Sequence, residues 1–220
     1  QFFQGQPYTL SPYSLASIVV WSGQGFQSFY AIVDAAVIIA NEAACRVQDR
    51  HLMLPVSPQG SRDPEHLFDL AEETGIASYW YVPEDYVERY GRSRIERFFH
   101  VTDQPEYDDY VYLTEDLALL KGNRYAKKRN LIHQFTREYG GADRIAIEEM
   151  SGANAAESVD FLLKWCDVHA CDAAQQESIA CEKRAVTTAI ENLSAVEAEG
   201  FLIRLDGVVS AFAIGSHLNA

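Results

Sequence analysis

Between Asp63 and Thr74 the apolar positions Leu67, Leu70 and Ala71 stand three and four residues apart, in a stretch that opens on Asp63-Pro64 and stops at Gly75. That is the spacing of one helix face. It has a side-chain acceptor ahead of the first turn, a proline where no amide is needed, and a glycine free to turn left-handed at the end. The same reading predicts a helix over 11–21, with Ser11 as N-cap and Pro12 at the first helical position, followed by a turn at Gly23 and Gly25. Two apolar runs, 29–33 and 36–40, flank Asp34-Ala35 as a hairpin, and 51–56 reads as a third buried strand. Beyond the 63–74 helix come a strand over 78–82, a short helix over 84–90 after Pro83, and strands over 95–101 and 107–113. A helical stretch over 115–139 is interrupted at Gly122. The remainder reads as a strand at 144–149, helices at 155–170 and 174–193, and two strands, 200–205 and 208–214, that turn at Asp206-Gly207, a strong hairpin signal. This is an α/β (α+β) pattern in two halves, 1–113 and 143–220, joined by a linking helix over 114–142.

In that linking stretch Tyr125, Ile132, Phe135 and Tyr139 fall on one arc at about 100° per residue, an arc expected to face a core or an interface. Lys127, His133, Gln134 and Arg137 lie opposite, where solvent accounts for them, but Arg124 and Lys128 fall inside the apolar arc. A desolvated cation needs an anion, because leaving it unpaired costs several kcal/mol. Glu182 is one candidate, since it lies within the apolar arc formed by Ile179, Val186, Ala189, Ile190 and Leu193 on a helix of the second half. A phosphate or carboxylate of a ligand is another, suited to a guanidinium and an ammonium at helical spacing. Snorkelling of the long side chains past the arc is a third.

Charge sharpens this picture. The net charge of -14 argues against a protein that coats nucleic acid nonspecifically. Yet six of the eighteen basic residues lie between Lys121 and Arg137, with no acid among them. The apolar runs fall well short of the roughly 20 residues that span a bilayer, so no stable membrane insertion is expected. No secretory signal is visible, and a cytoplasmic protein is the default. The start at Gln1 and the stop at Ala220 after a strand-like run suggest part of a longer protein. Four cysteines, Cys45, Cys166, Cys171 and Cys181, are too few and too irregular for a disulfide framework, and reduced thiols are expected. Cys166, His169 and Cys171 include no CxxC pair, so no metal site is expected.

Several runs carry a family resemblance. They are Tyr107-Asp108-Asp109-Tyr110-Val111-Tyr112 and, after it, Leu117-Ala118-Leu119-Leu120-Lys121-Gly122-Asn123-Arg124-Tyr125-Ala126-Lys127-Lys128-Arg129-Asn130. With Ser11-Pro12-Tyr13-Ser14-Leu15-Ala16, Trp21, Trp165, Glu182, and Asp206-Gly207 leading to Ala211-Phe212 and Gly215, the chain resembles a bacterial family related to the C-terminal catalytic domain of phosphatidylglycerol lysyltransferases. The resemblance implies two GNAT-like halves, each a mixed, largely antiparallel sheet flanked by helices, the second incomplete here. It also implies transfer of an aminoacyl group from aminoacyl-tRNA. The multi-pass membrane domain of the lipid-modifying enzymes is not in this sequence, which turns the expectation from a membrane lipid toward a small amine or hydroxyl acceptor.

For such a transfer the protein must set an amine or hydroxyl against an ester carbonyl, remove a proton and stabilise an oxyanion. Arg124 and Lys128 are the candidates to hold a phosphate, with Lys127 and Arg129 as outer contacts, and tRNA is the partner a local basic helix suits. Glu182 is the candidate to orient or deprotonate an amine. Among the histidines, His51, His66, His100, His133 and His169 show no nucleophile or partner pattern, while His217 lies near the expected cleft. No Ser-His-Asp order is present, and Ser22-Gly23-Gln24-Gly25 is too short for a phosphate loop. No permanently bound cofactor is expected. An acyl-CoA donor and a noncatalytic anion-binding module are the alternatives.

Overall fold

The computed structural model describes residues 2–23, 26–43, 46–140, 144–168 and 176–218, with backbone only for 46–48 and 176–181. Two three-stranded antiparallel sheets are flanked by helices. The first sheet runs β1 (Phe26–Val33), β2 (Ala36–Ala43), β3 (Arg46–Leu52) in spatial order. Its β1–β2 turn places Asp34 and Ala35 at φ 48° and 60°, the two positive values that a tight hairpin matching strand twist requires. Val33 pairs with Ala36 across it, as the flanking runs predict.

The third strand lies nearer the N-terminus than 51–56. Ala40 pairs with Leu52, but Val37 pairs with Val56, so one extra residue sits on the 52–56 side. Pro55 falls in that interval and has no N–H for the ladder, which breaks into an isolated bridge at Val56. The segment is nonetheless the centre of the first core. Met53, Leu54 and Val56 are buried with Tyr8, Tyr13, Val37, Ile39, Leu67 and Tyr86. The hydroxyl of Tyr8 donates to the Pro55 carbonyl at 3.0 Å, and that of Tyr13 accepts from the Leu54 N–H at 3.2 Å. Burial pushes the Tyr13 phenol well above its ordinary range.

Helix α1 (Leu15–Trp21) begins later than predicted. Ser11-Pro12-Tyr13 form a single 3-10 turn, and Ser14 is the N-cap, accepting from the Ser17 N–H at 3.0 Å. Ser11 instead donates its N–H and hydroxyl to the two oxygens of Asp109. Helix α2 (Pro64–Thr74) has the predicted ends, with Asp63 accepting from the His66 N–H and Gly75 left-handed at φ 66°. Helices α3 (Glu84–Tyr90) and α4 (Arg92–Ile95) follow.

Three expected strands do not form. The 78–82 stretch makes one parallel bridge, Leu52 to Tyr79, before Tyr81 turns to φ 58°. Ile95 ends α4, and the 95–101 residues pack on the core as turns, so their apolar character reflects burial without a partner strand. Tyr107 closes a 3-10 turn, and 108–113 run irregularly with Tyr110 90% exposed. Alternation alone does not make a strand where no neighbour offers a ladder.

The second sheet runs β4 (Ile145–Glu149), β5 (Ala198–Leu205), β6 (Val208–Ser216), with β5 central. Asp206 and Gly207, at φ 51° and 82°, make its hairpin turn as predicted. Helix α7 (Ala155–Val168) packs on β6, where Phe161 and Phe212 meet edge to face at 5.9 Å, and α8 (Gln176–Glu191) packs against both α7 and α1. In the chain between the two sheets come α5 (Thr114–Leu119), a 3-10 turn at Asn123–Tyr125, and α6 (Ala126–Tyr139), interrupted as predicted at Gly122 with φ 88°. Among the described residues no helix is long and apolar enough to cross a membrane.

Candidate functional site

Two places in this framework collect the predicted residues: the basic run at the start of α6, and the seam where α8 meets α1. The run begins at a helix break. Leu120 ends α5 in a left-handed conformation, and the Arg129 guanidinium donates back to the Leu120 and Gly122 carbonyls, the latter at 2.7 Å. A cation there satisfies carbonyls that the α5 terminus leaves over and sits at the negative end of its dipole. Arg129 therefore fixes the break.

Arg124 pairs with Asp116 on α5, and its guanidinium lies 4.8 Å from the centroid of the Tyr125 ring. Its side chain is 66% exposed, so the inference that the apolar arc would bury it fails. The reason is that the arc faces no core: of its members only Tyr125 is buried, while Ile132 and Phe135 are exposed. Lys128 and Lys127 are exposed as well, with no ion-pair partner among the described residues. Lys121 reaches Glu115 at 3.5 Å, an exposed pair of little energetic weight. Of the alternatives offered by the sequence, an ion pair from Arg124 or Lys128 to Glu182 is not formed, and Asp116, eight residues back in the chain, is the partner of Arg124.

The second place is a cleft of about 240 Å³ between α1 and α8, closed on a third side by β6. Ala16, Ser17, Val20 and Trp21 line it from α1, Ala185, Val186 and Ala189 from α8, and Ile214, Gly215 and Ser216 from β6. Ala16, Ser17, Ala185 and Ala189 are small and leave room between the two helices, while Val20, Trp21 and Val186 complete the facing walls. Glu182 is exposed and lies three and four residues before Ala185 and Val186, and seven before Ala189. On a helix that is one row, so Glu182 lies one turn before the face of α8 that lines the cleft and is not itself a lining residue. His217 is exposed and directly follows the lining residue Ser216. The contribution of α1 was missed in the sequence, although Ala16, Ser17 and Val20 at helical spacing carried the signal.

A third feature was also missed. His51, read as lacking a partner pattern, is buried and fully bonded. Its Nδ1 lies 2.7 Å from the Asp49 carbonyl and its Nε2 3.2 Å from the Asn41 side-chain amide, whose oxygen accepts from the Ser28 hydroxyl at 2.8 Å. The ring stacks on Trp80 at 4.3 Å. These partners set the neutral tautomer with hydrogen on Nδ1, and burial lowers the pKa below its ordinary value. The chain of bonds ties the three strands of the first sheet together, a structural task.

Cys166 is a free thiol, while the side chains of His169, Cys171, Cys181 and Cys45 and the residues Gln24 and Gly25 lie outside those described. Among the described residues no group of three His, Cys, Asp or Glu is placed to hold a metal ion.

The fold is similar to that of a conserved protein of unknown function from Bacteroides thetaiotaomicron VPI-5482, at a TM-score of 0.81 and 24% sequence identity, over 99% of this chain and 71% of that one. No curated protein matches the chain. A family model described as phosphatidylglycerol lysyltransferase, C-terminal, matches residues 6–220. That match takes in both sheets, the interrupted linking helix and the cleft, and the chain belongs to the phosphatidylglycerol lysyltransferase C-terminal family.

Proposed function

We propose that the chain is an acyltransferase of the aminoacyl-transferring type, taking an aminoacyl group from aminoacyl-tRNA and passing it to a small amine or hydroxyl acceptor. Each sheet would then be the framework of one GNAT-like half, over 1–113 and 143–220, with 114–142 linking them. The observation that carries the reading is the position of Glu182 on the same helical row as the residues lining the cleft. A carboxylate one turn from an apolar cleft can accept a proton from an amine or hydroxyl as that group attacks the ester carbonyl. The carbon–oxygen bond to the tRNA ribose then breaks, and the released hydroxyl takes a proton. No cofactor enters these steps. Lys127 and Lys128 are the cations with charge to spare for phosphates. Arg124 can join them by exchanging Asp116, and Arg129 holds the geometry from which they project.

The test is transfer from aminoacyl-tRNA to an amine in solution, with an acyl-CoA donor in parallel. Glu182→Gln should lower turnover by about a hundredfold or more while leaving tRNA affinity in place. Lys127→Glu with Lys128→Glu should weaken tRNA binding and flatten its dependence on salt. Unchanged turnover in Glu182→Gln, or turnover with the CoA donor only, refutes the proposal.

A further inference from the structure

The cleft between α1, α8 and β6 has no ionisable side chain among its described lining residues. Its walls are alanine, valine, isoleucine and glycine, with the Trp21 ring and the hydroxyls of Ser17 and Ser216. The Ser17 hydroxyl is already engaged, accepting from that of Ser14 at 2.9 Å. Alternation along β5 turns Glu199 to the opposite face from Ala198, which lines the cleft. A charged group that does stand near the end of α1 is a cation: Arg184 Nε lies 3.5 Å from where a Cβ on Gly23 would be. At about 240 Å³ the space is smaller than the roughly 300–1,000 Å³ of pockets that enclose a whole drug-sized ligand, and it is the size for a single side chain.

In the reaction proposed above the acceptor stands at Glu182, one turn outside the cleft, and the ester carbonyl stands against the acceptor. The lining positions of α8 lead away from that carbonyl, with Ala185 and Ala189 about 6 Å apart along the helix axis. The group with access to this space is the side chain next to the carbonyl. We propose that the cleft selects the aminoacyl group, taking a branched aliphatic or aromatic side chain such as leucyl or phenylalanyl and refusing a lysyl one. A leucyl or phenylalanyl side chain displaces water from Val20, Trp21, Val186 and Ile214, and gains with each methylene buried. A lysyl side chain on the same path sets its ammonium among alanines and valines without an anion, a desolvation that nothing there offsets. An alanyl side chain leaves most of the space unfilled. The inference rests on the aminoacyl-transfer reading, but it concerns which residue is carried and not the role of Glu182 as a base.

Amide-linked aminoacyl-adenosine analogues test it, because they present the donor end and cannot transfer. Leucyl, phenylalanyl, alanyl and lysyl forms are titrated calorimetrically into the 220-residue chain. The leucyl and phenylalanyl forms should bind about tenfold or more tighter than the alanyl form, and about a hundredfold or more tighter than the lysyl form. Ser216→Asp puts a carboxylate on the wall at an exposed position, so the fold should hold, and the affinity for the lysyl form should rise about tenfold or more. Ala185→Leu narrows the cleft and should weaken the phenylalanyl form more than the alanyl form. Ala185 is buried, so a thermal melt checks this variant, and Ser216→Asp carries the test if Ala185→Leu unfolds. Equal binding of the four analogues, or a preference that the folded variants do not move, overturns the proposal. So does a preference for the lysyl form in the unaltered chain. These titrations involve no transfer, so the preference can stand where Glu182→Gln leaves turnover unchanged, and can fail where that turnover test succeeds.

Discussion

The rings of Tyr8 and Tyr13 meet at 4.4 Å, tilted by 38°, and both residues bond to the buried 53–56 segment, but they do so in opposite senses. Tyr13 supplies the acceptor for the Leu54 N–H, while Tyr8 donates to the Pro55 carbonyl. Tyr13→Phe keeps the ring and removes the oxygen, leaving the N–H of a wholly buried residue without a partner. An orphaned buried donor costs about 1–3 kcal/mol. Tyr8→Phe removes a donor from a carbonyl, a group that tolerates under-satisfaction better than an amide, so its loss is set nearer the net worth of one hydrogen bond, about 0.5–1.5 kcal/mol. Tyr13→Phe should therefore be the worse substitution by about 1 kcal/mol, equivalent to roughly 2–4 °C in Tm for a chain of this size. Urea unfolding followed by fluorescence, with the slope of the transition compared between variants, gives both values. Equal losses, or a larger loss in Tyr8→Phe, would refute the assignment of donor and acceptor on which the order rests.

Two further outcomes follow from the fold. Because burial lowers the pKa of His51, the unfolded chain binds its proton first as pH falls. The contribution of the neutral ring is complete above the ordinary histidine value of about 6.5, and it is lost from there down to the lowered folded value. Thermal melts between pH 7.5 and 5 should show that decline, and His51→Gln should reduce its slope. At Gly200, in the middle of β5, an added Cβ would meet the Cβ and Sδ of Met150 at 3.0 Å and the Ala213 carbonyl oxygen at 3.3 Å. Gly200→Ala should destabilise by about 1–3 kcal/mol as overpacking, measured by urea unfolding, and Met150→Ala in the same chain should recover part of the loss.

Where the sequence was legible, the reason was local chemistry. Asp63 and Gly75 bound α2 because a carboxylate acceptor and a left-handed glycine act within one turn of themselves. The turns at Asp34-Ala35 and Asp206-Gly207 and the break at Gly122 are visible for the same reason. Fold class followed from these punctuation marks. What could not be read depends on partners distant in sequence. The apolar residues of 95–101 pack on a core without joining a strand, and those of 108–113 find no ladder. The arc of α6 was legible as an arc, but the periodicity does not say whether anything lies against it. Asp116, the partner of Arg124, lies across the Gly122 break on α5, so the periodicity of α6 does not bring the two together. Glu182 itself could be singled out, while the cleft lined by the residues that follow it on α8 required knowing that α1 packs on α8.

The hairpin turn of the second sheet reaches beyond its own strands. Arg144 grips Asp206 through both carboxylate oxygens, at 2.7 and 2.6 Å, places its guanidinium 5.2 Å from the Tyr139 ring, and donates to the Glu138 carbonyl at the last turn of α6. Together with Arg129 at the opposite end, this clamps α6 before anything binds to it. A helix free to fray would have to be ordered by its partner, at a cost of order 1 kcal/mol for each residue fixed. Preorganised at both termini, α6 spares most of that expenditure of entropy, so even a few exposed contacts can yield measurable affinity.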